Sequence, residues 1–148
     1  VFSPIPLPHP SEMRGSLPVY GVAACHNGHS GFEMNTGEVV DRVTCPPALA
    51  AVKGAYGLYA VDDSMEPRYF HGELLYVNPA KPAQAGSFVV IQFRPEHEGG
   101  AIRAIVKRLV KRTPTKLTVE QYNPPGTFDV DADEVMSVHR IMNGDELF

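Results

Sequence analysis

Residues 59–77 read Tyr59-Ala60-Val61-Asp62-Asp63-Ser64-Met65-Glu66-Pro67-Arg68-Tyr69-Phe70-His71-Gly72-Glu73-Leu74-Leu75-Tyr76-Val77. An apolar run stops at two acids and a serine. A proline-containing turn follows, then Gly72, then a second apolar run. The pattern predicts strand, turn, strand, with strands over Tyr56–Val61 and Glu73–Val77. A serine at such a junction can point its hydroxyl away from the core. Backbone N–H groups just after it can be free to bind a developing oxyanion. On pattern alone, Ser64 reads equally as a cap or a surface residue.

The same grammar extends to both sides. Further candidate strands are Leu17–Ala24, Glu38–Val43, Ser87–Phe93, Ile102–Val110, Lys116–Gln121 and Glu134–Ile141, rich in Val, Ile, Tyr and Phe. Turn signals separate them at His26-Asn27-Gly28, Asn78-Pro79, Gly99-Gly100, Thr113-Pro114 and Asn123-Pro124-Pro125-Gly126. Two short stretches read as helical. Pro46–Val52 has proline in its first turn, and Met65–Phe70 follows a candidate cap at Asp63 or Ser64. No long amphipathic period or internal repeat is present. The expected class is mainly β, a compact domain of many short strands with one or two short helices.

Residues 1–16 hold four prolines in their first ten positions and read as a Pro-rich linker. Residues 17–148 are expected to form one domain, a length that supports a real core. The chain opens Val1-Phe2-Ser3-Pro4 without a methionine, so a fragment, a processed product or a trimmed chain is expected. The formal net charge is −4 and the sequence pI about 5.8. That balance offers no general attraction to a phosphate backbone. The cations between Lys107 and Lys116 are too few for a nucleic-acid footprint. No apolar run is long enough to span a bilayer and no signal peptide is visible. Two cysteines, Cys25 and Cys45, do not make a disulfide framework and favour a reducing cytoplasm.

The second informative stretch is Ala104-Ile105-Val106-Lys107-Arg108-Leu109-Val110-Lys111-Arg112. Strand alternation puts Ile105, Lys107 and Leu109 on one face and Val106, Arg108 and Val110 on the other. Each face carries a cation between aliphatic residues, so periodicity does not choose between them. Chemistry does. Arginine stays charged at working pH and cannot act as a base. A lysine among aliphatic groups can lose its proton if its pKa falls from about 10.4 toward 7, roughly 4 kcal/mol of desolvation. Such an amine can take a proton from a serine hydroxyl. The alternative is a solvated basic stripe on an edge strand.

Asp63-Ser64-Met65-Glu66-Pro67, then His71-Gly72-Glu73-Leu74-Leu75-Tyr76-Val77-Asn78-Pro79, then Ile105-Val106-Lys107-Arg108-Leu109 strongly resemble the LexA, UmuD and phage-repressor self-cleaving peptidase family. Lys107 follows Ser64 by 43 positions, in keeping with that family. The resemblance covers roughly residues 17–141. It implies a LexA-like β-rich fold with Ser64 as nucleophile, Lys107 as general base and the Met65 backbone N–H as oxyanion donor. It also implies a homodimer formed through the C-terminal part, where Glu134–Ile141 is candidate interface. Members cut their own linker on contact with the RecA–single-stranded-DNA filament after DNA damage. The cut separates a DNA-binding domain, expected to lie outside this chain, from the dimerisation domain and relieves repression. No metal or cofactor is implied.

Two positions depart from the family pattern. Leu17–Cys25 resembles the cleavage region, with Ala24–Cys25 as the equivalent bond, so cysteine stands where glycine is usual. Glycine permits close approach and positive φ at little cost, and cysteine does not. Cleavage is therefore expected to be slowed, shifted to Ala23–Ala24, or lost. Asp62 stands where many members have glycine, and a carboxylate there would favour protonated Lys107. Two other functions remain open: a cleavage-deficient dimerisation module of the same fold, and a UmuD-like polymerase accessory subunit. Cys25, His26, His29 and Cys45 offer a Cys/His metal alternative, though no close cysteine pair exists. His9, His71, His97 and His139 read as surface or satisfied residues. The acidic run Asp129–Glu134 reads as a solvated loop.

Overall fold

The computed structural model describes residues 15–24, 31–95 and 102–148. Nine strands form one sheet. They are β1 (Ser16–Ala24), β2 (Phe32–Thr44), β3 (Tyr56–Tyr59), β4 (Leu74–Asn78), β5 (Phe88–Phe93), β6 (Ile102–Arg112), β7 (Lys116–Tyr122), β8 (Pro125–Asp131) and β9 (Val135–Ile141). Single 3-10 turns occupy Pro47–Leu49 and Ala132–Glu134, and a one-turn helix α1 (Gly144–Leu147) ends the chain. The mainly β expectation holds.

The strand order is β2-β1-β3-β4-β9-β5-β6-β7-β8, and β2 also pairs with β6 through Phe32↔Ala104, Glu33↔Arg103 and Met34↔Ile102. That last pairing closes seven strands into a ring and leaves β7 and β8 as an outlying hairpin. β6 therefore changes neighbours along its length. Ile102–Ala104 pairs with β2, and from Arg108 onward it pairs with β7. Between them, Ile105, Val106 and Lys107 are paired on the β5 side alone.

Two cores lie on either side of β5 and β6. Val90 and Ala104 pack with Phe32, Met34, Leu58, Met65, Tyr69 and Leu75. Val89, Ile91, Phe93, Ile105 and Leu109 pack instead with Leu117, Val119 and Val130. Both faces being covered explains why Phe88–Phe93 is a nearly unbroken apolar run. Removing a large side chain from such a core costs about 2–5 kcal/mol. A third, smaller cluster joins Leu17, Cys45, Leu49 and Leu147.

Several sequence expectations are corrected. Met65–Phe70 is not a helix but a run of turns closed by Glu66 N–H to Asp63 O, Arg68 N–H to Met65 O and Tyr69 N–H to Met65 O. Pro67 has no N–H to donate to a helical ladder. Pro46–Val52 shrinks to the 3-10 turn at Pro47–Leu49. β2 begins at Phe32 rather than Glu38. Around Asn35-Thr36-Gly37 the strand breaks register: Tyr20 faces Val39, yet Gly21 faces Asn35. β8 occupies Pro125–Asp131, where a turn and a solvated acidic loop were expected. It is an edge strand with one buried side chain, Val130, so it carries no visible alternation. The Pro-rich linker lies, apart from Gly15 and Ser16, outside the described residues. So do Cys25, His26, His29, His9 and His97.

Candidate active site

The β3–β4 connection carries Ser64. Its neck is tied by Ala60 N–H to Glu73 O at 2.9 Å and Gly72 N–H to Ala60 O at 2.7 Å. Gly72 sits at φ +85°, a left-handed conformation that glycine adopts without a Cβ clash. His71 Nδ1 contacts the Val61 carbonyl oxygen across the same neck. Inside it, Met65 and Tyr69 are 3% and 4% exposed and anchor the turn in the core. The Arg68 guanidinium lies over the Tyr69 ring at 4.4 Å and donates to Asn143 Oδ1 at 2.8 Å. The cation over a ring face adds electrostatic attraction to packing.

The serine's own backbone is pinned from the far side of the sheet. The Ser64 carbonyl oxygen accepts from Tyr122 N–H and Asn123 N–H, each at 2.9 Å, and Asn123 Nδ2 donates to Asp63 O at 3.2 Å. In the sequence Asn123-Pro124 is a turn signal and nothing more points to this tie. The pairing between two distant turns leaves no local pattern.

Lys107 comes from β6, at the end of the segment paired on one side only. Its Nζ donates to Ser64 Oγ at 2.8 Å, and the residue is 4% exposed. Alternation alone had left Lys107 and Arg108 open. The structure buries Lys107 with Ile105 and Leu109, whereas Arg108 is half-exposed and pairs with Glu120 at 3.1 Å. Burial pushes the Lys107 pKa below the ordinary lysine value, and the negative charge of Asp62 pulls the other way. Asp62 Oδ1 accepts from both the Ser64 hydroxyl, at 2.8 Å, and the Ser64 backbone N–H, at 3.0 Å. The Met65 N–H has no acceptor among the described residues.

A small cavity opens beside this trio, lined by Leu58, Val61, Met65, Tyr69 and Val106 among others. The Tyr69 hydroxyl is buried and has no partner among the described residues, and burial raises its pKa to about 12. A broader groove runs past Tyr20, Val22 and Ala23 of β1 toward Ala60, Val61 and His71. Ala24 ends β1 in register with Phe32, which is in register with Ala104 of β6. The structure thus brings Ser64, Met65 and Lys107 together and leaves Ala24 two strands away from β6. Cys45 is buried, with its thiol pKa raised by burial. No group of three metal-ligating side chains occurs among the described residues. His139 is half-buried and bonded to the Tyr56 hydroxyl at 2.6 Å.

Comparison with known proteins gives two findings. The family described as Peptidase S24-like matches residues 18–141. Repressor protein C of Rhizobium phage 16-3 is 41% identical over 128 residues, which cover 85% of this chain and 48% of that protein. The chain spans about half the length of that curated relative. No helix among the described residues is long and apolar enough to cross a membrane.

Proposed function

The chain belongs to the Peptidase S24-like family, and from that premise we propose that it is the self-cleaving, dimerising part of a transcriptional repressor. One observation carries the reading: the amine of Lys107, a residue 4% exposed, lies 2.8 Å from a serine hydroxyl. That is hydrogen-bond reach for a base and its nucleophile. Burial also lowers the cost of an uncharged amine.

In the proposed reaction Ser64 Oγ attacks the carbonyl carbon of Ala24. Neutral Lys107 takes the hydroxyl proton as the Oγ–C bond forms. The Met65 N–H faces the developing oxyanion, a contact stronger in the transition state than in the ground state. The C–N bond to Cys25 then breaks, and the Lys107 ammonium returns its proton to the departing amine. Water, deprotonated by Lys107, hydrolyses the resulting ester. The chain's own residues supply every group, so the step calls for no cofactor.

The identity to a phage repressor supports a repressor role. On this reading the chain is a cytoplasmic homodimer, contacts operator DNA through a separate domain, and is cut when a RecA–single-stranded-DNA filament forms after DNA damage. A second reading, a module that dimerises without cutting, is favoured by the carboxylate that holds Ser64 and by cysteine at position 25.

Incubation at alkaline pH, where free lysine is favoured, separates the two. Two fragments meeting between residues 24 and 25 by mass spectrometry, absent in Ser64→Ala, are the expected result. An intact band over days overturns self-cleavage and leaves the silent module.

A further inference from the structure

We propose that Asp62 is a positioning residue of the Ser64–Lys107 pair, whose carboxylate holds the serine's hydroxyl hydrogen away from the lysine and so keeps the pair latent at neutral pH. The proposal rests on the reading of these two residues as nucleophile and base.

Hydrogen-bond chemistry fixes the direction of each contact. An ionised carboxylate can only accept, so the 2.8 Å contact between Asp62 Oδ1 and Ser64 Oγ is donated by the hydroxyl. Serine has one hydroxyl hydrogen. The 2.8 Å contact between Ser64 Oγ and Lys107 Nζ is therefore donated by the lysine. A base needs the reverse, with the hydroxyl hydrogen pointing at a nitrogen lone pair. The Ser64 backbone N–H reaches the same Oδ1 at 3.0 Å, so the carboxylate grips both the main chain and the side chain of its target.

Charge acts in the same sense as geometry. Along β6, Lys107 has Ile105 and Leu109 on its face, and across to β5 it faces Val89. On the neighbouring positions of β6 and β7, Arg108 and Glu120 are paired with each other. From the end of β7 Tyr122 reaches Ser64 through its backbone N–H. The 61–66 turn contributes three acids, Asp62, Asp63 and Glu66, and Asp62 is the one whose charge acts on the amine. Burial disfavours the ammonium there, and Asp62 restores part of its stability. For attack to begin, the ammonium must first give a proton to solvent. The hydroxyl hydrogen must then swing from Asp62 to Lys107. Asp62 opposes both events.

Asp62→Asn tests the idea, because it removes the charge and keeps an oxygen that can accept from Ser64. Two quantities are read in the wild type and the variant: the pH–rate profile of self-cleavage, and the titration of Lys107 followed by NMR of labelled lysine. In Asp62→Asn both midpoints are expected to fall by about one pH unit, with cleavage near pH 7.5 about tenfold faster. The alkaline plateau is expected to rise by about twofold or more, since a neutral amide oxygen holds the Ser64 hydroxyl hydrogen less strongly than a carboxylate does. Asp62→Gly is expected to move the midpoints the same way. An unmoved Lys107 titration in Asp62→Asn overturns the proposal. So does loss of cleavage at every pH, which would make the carboxylate itself the base. The titration needs no cleavage, so absence of cut product in all forms overturns the peptidase reading separately.

Discussion

The Ser64 turn and the β1–β2 arm are joined to the same ring of strands, but they are held differently. The turn sinks Met65 and Tyr69 into the core and ties its serine carbonyl to two N–H groups of another hairpin. On β2, every position from Asn35 to Asp41 is exposed, Val40 to 52%, and the pairing with β1 slips in register twice between Val19 and Gly21. The contrast fits the two jobs that the proposed reaction would give these regions. A nucleophile and its base must be held to within about half an ångström, which packed side chains do well. A segment that is to be cut must be able to change its pairing, which a weakly buried arm allows.

The most damaging change to this contrast is Tyr69→Ala, which empties the turn's anchor. It is expected to lower unfolding free energy by about 3–4 kcal/mol in urea titration. Cys25→Gly acts at the bond proposed to be cut. It is expected to speed self-cleavage about tenfold, because glycine reaches positive φ and close approach without a Cβ clash. Fragment accumulation against time measures it. Lys107→Met removes a charge from the buried turn interface. It is expected to abolish cleavage yet raise Tm at pH 7 by about 3 °C, as replacement of buried charges by apolar groups often stabilises. The pH dependence of that difference has a definite sign. The folded pKa of Lys107 lies below its unfolded value, so the unfolded chain binds more protons between the two. Wild-type stability therefore rises with pH through that window, and the gap to Lys107→Met closes toward pH 10.5. The smallest effect is expected for Val40→Ser on the arm, within about 0.5 kcal/mol by the same urea titration.

What could be read from the sequence tracks how local each signal is. The mainly β class and seven of the strands follow from short Val-, Ile- and Tyr-rich runs between turn residues. β8 was hidden because an edge strand with one inward side chain looks like a loop. The first half of β2 was hidden because Asn35 and Gly37 form a local turn, Gly37 N–H to Asn35 Oδ1 at 2.9 Å, inside a longer strand. α1 is a single turn with a capping box between Asn143 and Glu146, too short for any period to show. At the site, alternation placed Lys107 on a face but left Arg108 equally eligible. Solvation chemistry and the family resemblance singled out the lysine. The carboxylate at position 62 stood out as a departure from the family, yet its grip on Ser64 needed coordinates. The same is true of the tie from Tyr122 and Asn123, made across 58 and 59 positions of chain, which no spacing rule records.

The closed ring also bears on what a break after residue 24 would do. β1 would then be the tail of the upstream piece, yet it lies between β2 and β3 within the sheet. Each of its nine residues has a partner on β2, with two slips of register, and Val19 has one on β3, with Leu17 and Val19 buried. Scission alone would therefore leave a nicked but still assembled particle. Parting of the two pieces would wait on the peeling of one interior strand, so loss of the covalent link and physical separation are two events with two separate rates.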